Sequence, residues 1–485
     1  MADFLSRLPR RWRSEECCQF RAFVEYAMRL LQVPGVALAV VERGDVAQAE
    51  GFGYCSIDRP TKISASTPFR LGSTTKSLTS LLVAALVDRG DVDWTTPITN
   101  LLPEFALADQ EAARTLLLKH TMGACCDMPT RETITLFHLG DHSPEERITS
   151  LRGVRPQSAW GEKFRYSNTL AALGGYAAAQ SYVNTGSLQS SFRQAMVQNI
   201  FQPLEMNNTF LLPEDRPSAQ CAQPHAIDLE GILRSVPPKF ERFVDSMAPA
   251  GAIWSTAADM ARYLVLELGS NLSEASENVV SREQLEYRWR NGIEMSPKSR
   301  YGLGMILTEV HGMLIVGHGG NTHGFSSDLF FMPEHDLGVV ILTNRGMASD
   351  FLTAIRQRFL ELAFGVKPCA EAMAEQAACC LQEVPQKLGE AISQRDDASL
   401  ELSGLLGEYR SDELGYATLR KHDDEYQIDF DDWSSTIGYQ HQAWRGMRCV
   451  VLTGVPWSGA LQLRIETNRL VLGSKSGDYI FQRIS

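Results

Sequence analysis

The stretch RLGSTTKSLTSLLVAALVDRG, residues 70–90, reads as a helix with an anomaly at its mouth. Gly72-Ser73 opens it, LTSLLVAALV forms its body and Arg89-Gly90 ends it. A body this apolar predicts burial. Lys76 nevertheless stands in the first turn, where the positive end of the helix dipole already lies and a cation gains nothing. Ser73 and Lys76 are three residues apart, so hydroxyl and amine share one helix face. Burial and nearby positive charge lower a lysine's pKa, and such a lysine can take the proton of a serine nucleophile. The Ser73 backbone N–H, near the helix start, is a candidate oxyanion donor. Without that chemistry Ser73 is an N-cap and Lys76 a solvated side chain, and S-x-x-K alone does not choose between the two readings.

The chain of 485 residues exceeds the usual size of one domain, which predicts a large unit plus a smaller one. A hydrophobic content of 44% and a charged content of 21% describe an ordinary globular protein. The net charge of -12 and the lack of any basic tract argue against nucleic acid as a partner. MADFLSRLPRRWRSEECCQF, residues 1–20, has basic residues but no apolar core of a signal peptide, and no run of about 18 apolar residues occurs. The expectation is a cytoplasmic protein that neither crosses nor binds a membrane. Ten cysteines, including the adjacent pairs Cys17-Cys18, Cys125-Cys126 and Cys379-Cys380, then read as reduced thiols. C-x-x-C and H-E-x-x-H are absent, so no metal site is expected, and His120 with Cys125 and Cys126 reads as ordinary packing. No cofactor is implied.

Outward from the quoted helix, residues 16–32 have helical spacing, PGVALAVVERG (34–44) reads as a buried strand, and DVAQAEGFGYCSID (45–58) as its hairpin partner. Residues 95–300 are mostly helical and loop-rich. Strands return at Leu303 to Val310, Met313 to Gly317, Asp328 to Met332 and Gly338 to Asn344, with His311-Gly312 as a tight turn between the first two. Strands from both ends of this region around a helical middle predict an α+β fold, an antiparallel sheet flanked by helices beside an all-helical lobe. The tail alternates in short segments: YATLRKH, EYQIDF, CVVLTG, LQLRIE, RLVLGS, YIFQRI. Their spacing of about ten residues predicts a small all-β unit. The expected domains are 1–370 and 401–485, joined by a Glu/Gln/Ala-rich linker at 371–400.

Two further stretches bear on the chemistry. WGEKFRYSNTLAALGGYAAA (160–179) sets Tyr166 and Asn168 two apart ahead of an apolar helix, facing one side of an extended segment. A tyrosine can relay protons to a leaving group, and an asparagine can hold the lysine or a substrate amide. LIVGHGGNTHGFSSDLFF (314–331) sets His318 at the end of an apolar strand, with Gly317, Gly319, Gly320 and Gly324 letting a substrate lie close to the strand. On its own Asn168 reads as a helix cap and His318 as a structural histidine.

Together, Ser-x-x-Lys, Tyr-x-Asn and His-Gly-Gly, in this order, resemble the serine β-lactamase and penicillin-binding-protein superfamily, most closely its class C-like branch with related esterases and D-aminopeptidases. The likeness spans roughly residues 20–365. LLLKHTMG (116–123), FQPLEMNNTF (201–210), PAGAIWSTAADMARY (249–263) and YGLGMIL (301–307) also fit family segments. The tail from LSGLLGEYRSD (402–412) looks like the lipocalin-like domain that some of these esterases and aminopeptidases carry.

The resemblance implies an acyl-enzyme on Ser73, with Lys76 accepting its proton and Tyr166 sharing the relay to the leaving group. Asn168 would orient Lys76 and the substrate's acyl side chain. His318, standing where β-lactamases carry a lysine, would contact substrate or Tyr166. Gly319 and Gly320 would border the substrate, and the N–H groups of Ser73 and Asn321 would form the oxyanion hole. A largely neutral His318 suits the carboxylate of penicillins and peptidoglycan stems poorly. Met122 alters the pocket wall. The expectation is a serine hydrolase or acyltransferase acting on a small ester, thioester, amide or D-amino-acid peptide. The rivals are a β-lactamase or DD-peptidase, and a silent scaffold of the same fold. An α/β-hydrolase would need G-x-S-x-G, which GFSSD (324–328) does not supply.

Overall fold

In a computed structural model the structure describes residues 9–129, 137, 139, 142–215, 220–269, 279–310, 312–393, 402–444, 447–454, 461–474 and 477–485. Strand β1 (Gly35–Glu42) shows how the sequence organises the larger unit. All eight of its residues are buried. Alternate side chains leave a strand on opposite faces, so Val36, Leu38 and Val40 enter one apolar cluster and Ala37, Ala39 and Val41 another. A strand covered on both sides reads as a continuous apolar run, as this one does.

β1 belongs to an eight-stranded antiparallel sheet with β2 (Asp45–Gly53), β3 (Ile293–Ser296), β4 (Ser299–Tyr301), β5 (Ile306–Val310), β6 (Met313–Asn321), β7 (Ser326–Met332) and β8 (Leu337–Thr343). The spatial order is β2-β1-β8-β7-β6-β5-β4-β3. The hairpin from the start of the chain thus pairs with the last strand of the unit, Val36 opposite Thr343. One face is covered by α1 (Ser14–Leu30) and α6 (Ser349–Phe364). The other carries α2 (Thr75–Asp88), α3 (Asn168–Tyr182), α4 (Ala257–Glu267) and α5 (Arg282–Arg290), with the helical lobe beyond them. Every residue of α2 from Thr75 to Leu86 is buried, as a helix apolar on all sides requires. Arg288 of α5, fully buried, ion-pairs with Glu267 of α4 and donates to the Ser77 carbonyl of α2 at 3.1 Å, which ties the three helices together.

Several elements differ from expectation. β5 starts at Ile306 rather than Leu303, because Gly304 turns with φ 72° against α2; a Cβ there would lie 2.6 Å from the Lys76 carbonyl oxygen. β6 continues past Gly317 to Asn321, pairing Gly319 with Asp328 and Gly320 with Ser327, so His318 lies inside the strand. β3 and β4 went unread. The turn expected at His311-Gly312 has only Gly312 among the described residues. Most of the segment read as a linker is helix α7 (Ala370–Ala391), whose Ala370, Ala374, Ala377 and Ala378 pack into the cluster beneath α6.

The smaller unit is a closed, eight-stranded, up-and-down antiparallel barrel running from Gly407–Ser411 to Gly477–Arg483, each strand paired with the next and the first with the last. Two of its strands, Gly407–Ser411 and Ser434–Trp444, were not read from the sequence. Leu419, Ile428, Leu452, Leu463, Leu470 and Phe481 fill the interior, as side chains do in barrels of this size. The barrel shares its core with the larger unit. Phe137, 0% exposed, packs its ring on Phe430 (5.0 Å), Trp433 (5.7 Å) and Phe481 (6.1 Å). Phe240 meets Trp433 at 5.9 Å, and the Leu139 N–H donates to Asp432 Oδ2 at 2.9 Å.

Candidate active site

The nucleophile turn is built by the close approach of two backbones. Residues Gly72–Thr74 form a 3-10 turn leading into α2. Gly72 has φ 55°, and a Cβ on it would lie 2.8 Å from the Asn321 nitrogen. A Cβ on Gly320 would meet the Leu71 carbonyl oxygen at 2.0 Å and the Ser73 nitrogen at 2.9 Å. Glycine at both positions lets β6 press against the turn, bringing the Ser73 and Asn321 amides to one spot. Hydroxyls fasten the contact: Thr74 Oγ1 donates to the His318 carbonyl at 2.9 Å and Ser327 Oγ to that of Leu71 at 2.6 Å.

Lys76 is 1% exposed. Its Nζ lies 2.6 Å from Asn168 Oδ1, 2.7 Å from the Ala250 carbonyl and 3.0 Å from Ser73 Oγ. The Asn168 and Ala250 oxygens can only accept, so they hold N–H groups and leave the direction of Ser73 for either an N–H or the lone pair. Tyr166 Oη lies 2.8 Å from Ser73 Oγ on the other side, and its ring faces the Lys76 amine at 4.7 Å. Asn168 is not the cap of its helix. Ser167 takes that task, its Oγ accepting from the Leu170 N–H at 3.2 Å, which leaves the Asn168 amide for the lysine.

Four of the residues singled out in the sequence, Ser73, Lys76, Tyr166 and Asn168, therefore meet within hydrogen-bonding distance. Gly319, Gly320 and Asn321 run along the adjoining strand, with Asn321 Oδ1 accepting from Ser326 Oγ at 2.6 Å. His318 lies ring to ring with Tyr166, one of the two contacts expected of it. It is 4% exposed, its ring centroid lies 6.1 Å from that of Tyr166, and its nitrogens turn elsewhere: Nε2 to Tyr301 Oη at 3.0 Å, Nδ1 to the Gly319 carbonyl at 2.6 Å. Burial and the charge of Lys76 push its pKa down to about 3, so it is neutral at ordinary pH.

Tyr301 and the Ala250 carbonyl are the site members that the sequence reading missed. Both lie in segments noted for their likeness to a family, but a backbone oxygen leaves no trace in residue type. Beside Tyr301 lies a cavity of about 390 Å³, also lined by Lys119, His120, Cys125 and Asn291. Both the Cys125 and Cys126 thiols point to the His120 carbonyl, at 3.6 and 3.3 Å. Among the described residues no cluster of three or more His, Cys, Asp or Glu could hold a metal, and no helix is long and apolar enough to cross a membrane.

A family model for beta-lactamases matches residues 20–363, the whole unit that builds this site. The chain belongs to the beta-lactamase family. Its members are serine acyl-hydrolases, which supports a serine hydrolase here. It is 29% identical over 349 residues to penicillin-binding protein 4 of Amycolatopsis lactamdurans, covering 69% of this chain and 87% of that one. It is 25% identical over 361 residues to the unguisins hydrolase ungD of Aspergillus violaceofuscus, covering 68% of this chain and 62% of that protein, so it spans less than two thirds of that relative. Among solved structures, the octameric penicillin-binding protein homologue from Pyrococcus abyssi aligns with a TM-score of 0.59 at 20% identity, over 96% of this chain and 99% of that one. SurE, solved with D-Leu, aligns with a TM-score of 0.60 at 18% identity, over 97% and 100%. Both alignments run through the barrel, so the two-part β-lactamase-like architecture is shared over the full length.

Proposed function

We propose that this protein is an acyl-enzyme-forming serine hydrolase or acyltransferase with Ser73 as nucleophile. The observation that carries this reading is the position of Ser73 Oγ, 3.0 Å from Lys76 Nζ and 2.8 Å from Tyr166 Oη. With Lys76 as the free amine, the Ser73 O–H donates to Nζ while the Tyr166 O–H donates to Oγ. As Oγ attacks a carbonyl carbon, its proton passes to the amine. The negative charge on the carbonyl oxygen meets the N–H groups of Ser73 and Asn321, brought together by Gly72 and Gly320. Tyr166 then hands a proton to the leaving group and recovers one from Lys76. Water completes hydrolysis; an amine or alcohol completes transfer if the cleft excludes water.

The substrates we assign are small esters, thioesters, amides and D-amino-acid peptides. A neutral His318 in the third motif supports an uncharged group there over the carboxylate of a β-lactam or a peptidoglycan stem. The relatives are consistent with hydrolysis and with a D-amino-acid ligand: one is an unguisins hydrolase, and one structural neighbour is solved with D-Leu. Ten free cysteines support a reducing, cytoplasmic setting.

A fluorophosphonate probe is expected to label the wild type rapidly and Ser73→Ala not at all. A panel of p-nitrophenyl esters, D- and L-amino-acid anilides and nitrocefin then ranks the acyl groups. Equal labelling of both proteins removes Ser73 from the chemistry, and no labelling of either leaves a scaffold. Turnover confined to nitrocefin replaces the esterase reading with a β-lactamase.

A further inference from the structure

Tyr301, the last residue of β4, is 2% exposed, and its hydroxyl is 3.0 Å from His318 Nε2. The other ring nitrogen lies 2.6 Å from the Gly319 carbonyl oxygen, which can only accept. Nδ1 therefore carries the ring proton, Nε2 carries the lone pair, and the Tyr301 O–H donates into it. We propose that Tyr301 is a positioning residue of this site: its hydroxyl locks His318 as a neutral, Nδ1-protonated imidazole beside Lys76. The lock keeps a second cation out of the cleft at the step where Lys76 gains the Ser73 proton. That last consequence rests on the acyl-enzyme reading above; the tautomer does not.

The groups facing His318 come from three elements. Lys76 reaches it from α2, and its charge opposes protonation of the ring. Tyr166 approaches from the segment before α3, ring to ring at 6.1 Å, and Tyr301 from β4. Asp328, opposite Gly319 on β7, is occupied by Arg356 of α6 on the far face of the sheet. No carboxylate among the described residues is a cause of the His318 shift; burial comes first and Lys76 second. The Tyr301 ring does separate work, standing edge-on to Tyr166 (5.8 Å, 83°) and to His318 (5.7 Å, 89°), with Phe164 at 5.9 Å. Removal of the oxygen alone keeps that packing, so Tyr301→Phe tests the hydrogen bond and not the shape.

The first measurement reads the ring in the wild-type protein. In protein labelled with 15N-histidine, the His318 ring signals, assigned by their loss in His318→Asn, are expected to show the Nδ1–H neutral tautomer at pH 5. In Tyr301→Phe the same ring loses a donor that favours its neutral form, and its titration moves upward. The pH profile of kcat/KM for a p-nitrophenyl ester then acquires an acidic limb at the raised pKa, below which kcat/KM falls about tenfold for each pH unit and above which the deficit vanishes. A side chain that only fills space would lower activity in parallel at every pH. A wild-type His318 that is protonated at pH 5 or carries its proton on Nε2 overturns the proposal, as does a Tyr301→Phe profile parallel to wild type. If Ser73 fails to label while the spectra show the expected tautomer, the acyl-enzyme reading falls and the Tyr301–His318 lock stands.

Discussion

Lys76 Nζ donates to the carbonyl oxygen of Ala250 at 2.7 Å, across 174 residues of sequence. That oxygen and Asn168 Oδ1 hold the buried amine from two sides and aim it at Ser73. Both holders are uncharged, so the amine can lose its proton without leaving a buried carboxylate behind.

Substitution Asn168→Asp breaks that neutrality at almost constant shape. A carboxylate 2.6 Å from Nζ favours the ammonium and raises the lysine's pKa. The acidic limb of the kcat/KM profile is expected to move to higher pH, and below the wild-type limb the variant is slower by about tenfold for each unit by which the pKa rises. Stopped-flow measurement of acylation across pH 6–10 checks this. A profile that keeps its wild-type limb removes Lys76 from the role of base.

The glycines of β6 differ sharply in the room behind them. Gly320→Ala drives a methyl group to 2.0 Å from the Leu71 oxygen and 2.9 Å from the Ser73 nitrogen, backbone atoms that cannot yield without moving the nucleophile turn. Gly319→Ala meets nothing nearer than the Ser327 oxygen at 3.5 Å. Labelling of Ser73 is expected to be nearly abolished in Gly320→Ala and much less reduced in Gly319→Ala. Equal effects would mean that the strand does not bear on the turn as described.

Phe137 is the bolt between the two units. Its ring, fully buried among Phe430, Trp433 and Phe481, belongs by sequence to the larger unit and by packing to the barrel. Phe137→Ala is expected to cost about 3–5 kcal/mol, the usual range for an emptied aromatic core site. Calorimetry is expected to show the barrel melting earlier, apart from the main transition, with faster proteolysis near residue 400. An unchanged single transition would contradict a shared core.

Much of this architecture was legible because it has a local signature. β1 is a continuous apolar run because both of its faces are covered, and α2 is apolar all round because it is encircled. Ser73 and Lys76 could be paired from spacing alone, since three residues on a helix fix a face. What escaped notice has no such signature. Strand Ser434–Trp444 is rich in Ser, Thr, Gln and Gly, and its alternation is faint. The Glu/Gln/Ala composition of 371–400 looked like a linker, yet its alanines are the small residues that let α7 lie close on α6. The His318 ring was expected to serve substrate or Tyr166; its two hydrogen bonds depend on Tyr301 and the Gly319 carbonyl, which only the folded chain brings to it.

Three histidines, His318 buried and His120 and His323 partly so, set the acid limit of the fold. Burial pushes His318 down to about 3 and His120 and His323 down to about 4, from an ordinary value of 6.5. Below pH 6.5 the unfolded chain binds protons at these positions and the folded chain does not, so stability rises with pH between about 4 and 6.5 and falls as acid is added. At pH 5 each histidine costs about 2 kcal/mol relative to neutrality. Glu241 and Asp259, raised by burial, work in the opposite sense nearer pH 4, because the folded state takes up their protons first. Urea unfolding of wild type and His323→Gln at pH 7 and pH 5 isolates one contribution. The variant is expected to lose about 2 kcal/mol less than wild type across that interval, whatever its stability at pH 7, because glutamine has no proton to gain. An identical loss in both proteins would show that His323 titrates alike folded and unfolded, and that the ring is not buried against Phe240 and Phe243 as the structure has it.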